Sequence, residues 1–286
     1  MNQKTKFVGL IVLAVVIGAG MTGGILLLQG SIGNNVSTTT PTTNTTTTTT
    51  TTAMTLPPID IPDPLHYEGV DIWWIVVGGV KLKFNDIVVY IDPTEIYGLE
   101  TPFLEPADYI IVTHEHGPHA SPGSISAVRD SNTTVIVSMN SRYSISEDVV
   151  AYPNDTLEYE GVTFEFVPAY NIDKLRPSGE PFHPPENNML GVIVNFNGIR
   201  IYHAGDTDRI PEMQSINTDV ALLPVSGYAW MEPDEAAGAV DDLKLNSDLA
   251  YAVPIHWGHN QGSRWHAEQF EALANCTVVI LDRLVT

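Results

Sequence analysis

Cysteine is nearly absent from this 286-residue chain: Cys276 stands alone and reads as a small buried hydrophobe. A lone cysteine excludes a disulfide framework within the chain, and it excludes a zinc site built on thiolates. Basic residues are also scarce, with 13 Lys and Arg against 34 Asp and Glu and a formal charge of −21. A nucleic-acid backbone is therefore a poor partner, because phosphate binding needs a basic surface. The deficit is uneven. Nothing before Asp60 is acidic, so the remainder holds 34 acidic and 11 basic residues, a net of −23. What is plentiful is apolar: 43% of the residues, including 24 aromatics, enough for a sizeable core in one or two domains.

Three segments follow from composition. Residues 1–30 read as a membrane anchor: Lys4 and Lys6 precede Phe7–Leu28, a run of 22 residues without a charge. Such a helix crosses about 30 Å of hydrocarbon at about 1.5 Å per residue. The next basic residue is Lys81, so the positive-inside bias predicts a single pass with a cytoplasmic N-terminus and the rest outside. A cleaved signal peptide is the alternative, although the apolar run exceeds the usual length of its core. Residues 31–58 read as a disordered Thr-rich tether; 13 of the 15 residues from Thr38 to Thr52 are threonine. With no apolar face it cannot offset its ordering entropy. It suits O-glycans, and Asn-x-Ser/Thr sequons at Asn35, Asn44, Asn132, Asn154 and Asn275 suggest a glycoprotein.

Residues 59–286 read as one α/β domain. Val70–Val77, Val80–Phe84 and Ile87–Ile91 are β-rich runs divided by Gly78-Gly79 and Asn85-Asp86, which predicts consecutive antiparallel strands. Further strands are expected at Tyr109–Thr113, Thr133–Ser138, Thr156–Glu160, Val162–Val167, Met189–Phe196, Ile199–His203, Val220–Pro224, Leu249–Ile255 and Thr277–Leu281. Pro233–Leu243 and Ser263–Ala274 have helical character. Meanders followed by strand–helix alternation argue for layered sheets. A Pro-rich loop, Pro168–Asn188, is long enough inside such a domain to suggest function.

The chemistry concentrates at strand ends. Thr113-His114-Glu115-His116-Gly117-Pro118-His119 leaves an apolar strand with three histidines in six positions. Imidazoles at i and i+2 on an extended exit can supply two ligands to one Zn, Fe or Mn ion. Tyr202-His203-Ala204-Gly205-Asp206 places a carboxylate beyond a second strand, and Pro254-Ile255-His256 ends a third on histidine. A lone strand-end histidine is ordinarily structural; three such ends in one domain point to metal.

Together with Tyr90-Ile91-Asp92-Pro93, Val167-Pro168-Ala169-Tyr170-Asn171, Ile210-Pro211-Glu212-Met213 and Leu223-Pro224-Val225, these motifs resemble, in order, the metallo-β-lactamase superfamily. The closer resemblance is to its metal-dependent hydrolase branch containing L-ascorbate-6-phosphate lactonase-like proteins. It implies a four-layer αββα sandwich with metal held at one edge. It also implies that His114 and His116 bind a first ion, that His119 and His256 bind a second, and that Asp206 bridges them. Asp206 and His119 then take part in catalysis, and a metal-activated hydroxide attacks an ester, lactone or phosphodiester. Asp92 and His203 would support the site through hydrogen bonds.

Two positions depart from the family pattern. Pro118 stands where the motif His-x-His-x-Asp-His has its aspartate, which removes an anionic ligand from the second ion. Asn171 occupies the region where many members place a histidine for the first ion; the nearest histidine is His183, either a substitute ligand or a solvated loop residue. Tyr228 and Trp230, on a loop, are expected to line a pocket. The reading is thus a membrane-anchored, extracytoplasmic hydrolase. It would use one or two divalent ions, zinc foremost with Mn or Fe as alternatives, on a small-molecule or lipid-like substrate. The competing reading is a degenerate surface module that keeps the fold with one metal or none.

Overall fold

A computed structural model describes residues 62–96, 104–258 and 261–284. The anchor, the tether and the sequons at Asn35 and Asn44 lie outside the described residues. Among the described residues, no helix is long and apolar enough to cross a membrane.

The first half of the domain folds into seven strands: β1 (Leu65–Tyr67), β2 (Val70–Val76), β3 (Gly79–Phe84), β4 (Ile87–Ile91), β5 (Tyr109–Val112), β6 (Thr134–Ser138) and β7 (Val149–Ala151). They pair in sequence order, antiparallel from β1 to β4 and parallel from β4 to β7. The second half repeats that plan with β8 (Thr156–Tyr159), β9 (Val162–Pro168), β10 (Leu190–Phe196), β11 (Ile199–His203), β12 (Val220–Pro224), β13 (Tyr251–Ile255) and β14 (Thr277–Val278). Here β8 to β11 are antiparallel and β11 to β14 parallel.

Side-chain alternation sets the layers. In β4, Val89 and Ile91 join the core shared with the second sheet, while Val88 and Tyr90 face the outer core under α1 (Pro122–Val128). Strand β6 divides likewise, Ile136 to the shared core and Val135 and Val137 outward. Helices α2 (Pro233–Leu243) and α3 (Arg264–Leu273) pack their apolar faces on the second sheet through Ala236, Val240, Leu243 and Phe270. The result is the expected αββα layering. Pro233 at the first helical position and the return bond from the Glu232 amide to Glu235 (2.9 Å) start α2.

Three elements lack a signal in the sequence reading: β1 and β7, of three residues each, and the seven-residue α1, too short for a period to emerge. Two expected strands are shorter than their apolar runs, ending as β13 from Tyr251 and β14 at Val278.

Candidate metal centre

The strand exits converge at one edge of the domain. His114 and His116 leave β5, and His119 follows in the same turn, held by its amide to the His116 carbonyl (2.9 Å). Asp206 lies just past β11, and His256 follows β13 with a left-handed backbone (φ 57°). That conformation turns the chain off the strand, and the His256 amide donates to the Val77 carbonyl at 2.9 Å.

Asp206 is the hub. Its Oδ2 lies 3.5 Å from His114 Nε2, 3.5 Å from His119 Nε2 and 3.6 Å from His183 Nε2, and its Oδ1 lies 2.8 Å from His256 Nε2. His116 Nδ1 approaches His114 Nε2 at 3.1 Å and His183 Nε2 at 3.3 Å. Three overlapping sets placed to hold a metal result: His114, His116, His183 and Asp206; His119, Asp206 and His256; and Asp92, His114 and His119, in which Asp92 bonds the far nitrogen of His119. Asp206 Oδ1 and His256 Nε2 are buried and make no aligned hydrogen bond despite their proximity. Two buried polar atoms left so would be costly, and a cation between them removes that cost. The donor set therefore fits a divalent ion.

Behind the cluster, the far nitrogen of every imidazole except that of His116 is occupied. His119 Nδ1 donates to Asp92 Oδ2 (2.8 Å), and His256 Nδ1 donates to Gln261 Oε1 (3.1 Å). His183 Nδ1 reaches Asn171 Oδ1 (2.8 Å) and the Ala229 carbonyl (3.0 Å). His114 Nδ1 meets Thr113 Oγ1 (3.0 Å), which itself donates to Asp92 Oδ2 (2.6 Å). Each contact leaves Nε2 bare and facing inward, the arrangement that fixes tautomer and ring direction in metal sites.

Electrostatics agree. Burial pushes His114 and His116 down, and His183 down to about 4, so these rings stay neutral donors. Burial also opposes charge on His119, but Asp206 and Asp92 outweigh it and push it up to about 10. Burial would raise Asp206, yet His119, His256 and His114 hold it well below the carboxylate range.

The Beta-lactamase superfamily domain matches residues 71–256, well over half the chain. The chain belongs to the β-lactamase superfamily. A UPF0173 metal-dependent hydrolase from Thermococcus kodakarensis is 32% identical over 183 residues, 62% of this chain and 79% of the relative. Its counterpart in Methanoculleus marisnigri is 31% identical over 186 residues, 63% of this chain and 79% of the relative. The likeness places this superfamily member among the metal-dependent hydrolases. A solved structure from Parabacteroides distasonis, also named as a metal-dependent hydrolase, aligns with a TM-score of 0.66 at 31% identity, covering 78% of this chain and 98% of its own. Igni18, a metallo hydrolase of Ignicoccus hospitalis, shares the fold at 19% identity and a TM-score of 0.58, covering 74% of this chain and 95% of its own.

Of the positions singled out in the superfamily motifs, His114, His116, His119, Asp206 and His256 are brought together. His183 joins them and is 1% exposed, which overturns the solvated-loop alternative. Asn171 is not placed as a ligand. Its Oδ1 accepts from the amide and ring of His183, and its Nδ2 donates to Asp208 Oδ1 (2.8 Å) and the Ala229 carbonyl (3.0 Å), so it carries the histidine that stands in. Asp92 sits behind His119 with a left-handed backbone (φ 48°), its other oxygen accepting the Thr113 amide at 2.8 Å. His203 is not placed as a ligand: its Nδ1 accepts from the Gly205 amide (3.1 Å) and its Nε2 donates at 2.7 Å to the carbonyl of Gly78, beside His119 and His256. Pro118 is exposed at the mouth of a cavity of about 280 Å³ that Tyr228 and Trp230 also line.

Gly78 is the position that sequence reasoning passed over as a mere turn. A Cβ there would lie 2.6 Å from His256 Nε2 and 2.9 Å from His119 Cε1, so only glycine leaves both rings in place. Gly205 serves the neighbouring loop: at φ 68° its missing Cβ clears the Leu190 carbonyl and lets Asp206 enter the cluster.

Proposed function

We propose that this domain hydrolyses an ester, lactone or phosphodiester bond at the His/Asp centre, on the outer side of a membrane to which the N-terminal segment ties it. The observation that carries the reading is Asp206, a buried carboxylate common to two of the sets, whose Oδ2 faces His114, His119 and His183 at 3.5 to 3.6 Å and whose Oδ1 faces His256 at 2.8 Å. His114, His116, His183 and Asp206 would hold one divalent ion, and His119, His256 and Asp206 a second. Ions held there polarise an electrophilic oxygen and bring the pKa of water toward neutrality. The chain supplies position: Asp92 sets the direction of His119 and, through Thr113, of His114. Trp230 lies on His256 with ring centroids 4.5 Å apart and shields that side from water.

Four donors around the first set, three of them buried, favour a working centre over a degenerate one, because His183 restores what Asn171 does not supply. Three donors at the second set still match a catalytic zinc site completed by water. The anchor rests on the charge-free run Phe7–Leu28 behind Lys4 and Lys6. The three sequons within the described residues, at Asn132, Asn154 and Asn275, are all exposed, as glycosylation requires.

The test is metal analysis of the full-length protein purified without chelator, paired with a screen of lactone, carboxylic ester and phosphodiester substrates. Asp206→Asn should lose bound metal and turnover together; metal content unchanged in that variant removes the reading. Protease added to intact cells should release a soluble fragment beginning in the tether, and a domain digested only after lysis would reverse the topology.

A further inference from the structure

We propose that Arg176 determines specificity by receiving a second anionic group of the substrate, a carboxylate or phosphate set beside the bond cut at the His/Asp centre. The inference rests on the hydrolase reading above and adds a substrate class to it.

The Pro-rich loop carries the argument. Leu175 and Pro181 bridge as an antiparallel pair, the Arg176 amide donates to the Glu180 carbonyl (2.7 Å), and Gly179 turns the tip at φ 88°. This small hairpin fixes the backbone of Arg176. One guanidinium nitrogen donates to the Phe182 carbonyl (3.1 Å), and the group stacks over the Phe182 ring at 5.1 Å. The next residue is His183, which reaches Asp206 and His116. Guanidinium and cluster are therefore held at a set separation by one short piece of chain.

Charge gives that placement its meaning. Basic residues are few, and Lys81, Lys83, Arg129, Lys174, Arg200, Arg209 and Arg264 each face a carboxylate. Arg176, like Arg142 and Lys244, has no carboxylate within ion-pair distance among the described residues, but it alone of these three lines the cavity beside the cluster, exposed in a domain of net −23. Of the residues lining the cavity beside the cluster, Arg176 is the one fixed cation, and Asp206, the one carboxylate, is already engaged by imidazoles. Apart from the imidazoles of the cluster and Gln261, the remaining wall is apolar: Phe182 and Tyr228 pack at 4.7 Å, with Trp230 beyond. An adjoining cavity on the other side of Arg176 is lined by Glu115, Glu180 and Glu186, which repel an anion there and leave the cluster side open. A planar guanidinium with free N–H groups takes an oxyanion by paired hydrogen bonds.

Two probes separate this subsite from the metal centre: ethylphosphonate, with one anionic head, and 2-carboxyethylphosphonate, which adds a carboxylate. Calorimetry on the full-length zinc-loaded protein should find the second bound about tenfold tighter, the scale of one charge-assisted hydrogen-bond pair. Arg176→Gln should erase that difference and leave ethylphosphonate affinity unchanged, and Arg176→Lys should keep part of it. Equal binding of the two probes by wild type, binding of neither, or a difference that survives Arg176→Gln overturns the proposal. If the discrimination depends on Arg176 but chelation alters neither affinity, the anion subsite stands and the metal-centred hydrolase reading fails.

Discussion

At the scale of single residues, the centre depends on groups that never touch it from the front. Gly78 is the clearest. Its carbonyl is held by His203, and its bare Cα is the floor on which His119 and His256 rest. Gly78→Ala should therefore displace His119 and His256 while sparing His114, His116 and His183, lowering metal stoichiometry at a cost of about 1–3 kcal/mol in stability. Metal analysis with a denaturant melt checks it; full stoichiometry in that variant would mean the floor yields. Pro118 supports the opposite change. It is exposed beside His119, so Pro118→Asp adds a carboxylate without opening the core. Metal affinity should rise at least tenfold, less up to about 1 kcal/mol for the freed backbone. Competition with a chelator reads that gain directly, and no gain would place the new carboxylate out of reach.

Among the elements, the Pro-rich loop is the one whose role depends on folding. The histidines on β5 and β13 were legible because short apolar strands end on them, and strand exits aim side chains at one edge. His183 was only half legible. Nothing in its neighbours distinguishes a solvated loop from one folded inward by Asn171, whose amide bridges His183 to Asp208. Thr113 and Gly78 escaped for the same reason: their function lies in partners 21 to more than 170 positions away or in an absent atom, and no local pattern records either. The buried His183 also has a consequence for pH in the ion-free protein. Its pKa falls from 6.5 to about 4, so between those values the unfolded chain binds a proton that the folded one refuses, and stability rises with pH. His119 is raised from 6.5 to about 10, so above 6.5 the folded chain keeps a proton the unfolded one sheds, and stability falls. Chelated protein should be most stable near pH 6.5, where both windows meet. The acid limb from His183 is worth on the order of 3 kcal/mol. Denaturant melts at several pH values test this, and a monotonic profile would contradict it.

Across the whole molecule, the two sheets repeat one plan, four antiparallel strands continued by three parallel ones, a regularity that no sequence repeat announces. The first half ends its strands on Asp92 and the His114–His119 turn, and the second ends its strands on Asp206 and His256 and adds His183 from the Pro-rich loop. Neither half contains either complete set built on Asp206. The chain is thus two incomplete hands that close on the same object. Severed in the exposed link between β7 and β8, at Pro153-Asn154, the halves share a core that neither can cover alone. Co-expressed, they should reassemble only when zinc is supplied and come apart under chelation, as followed by co-purification of one tagged half. Halves that associate equally well without metal would show that packing alone does the joining.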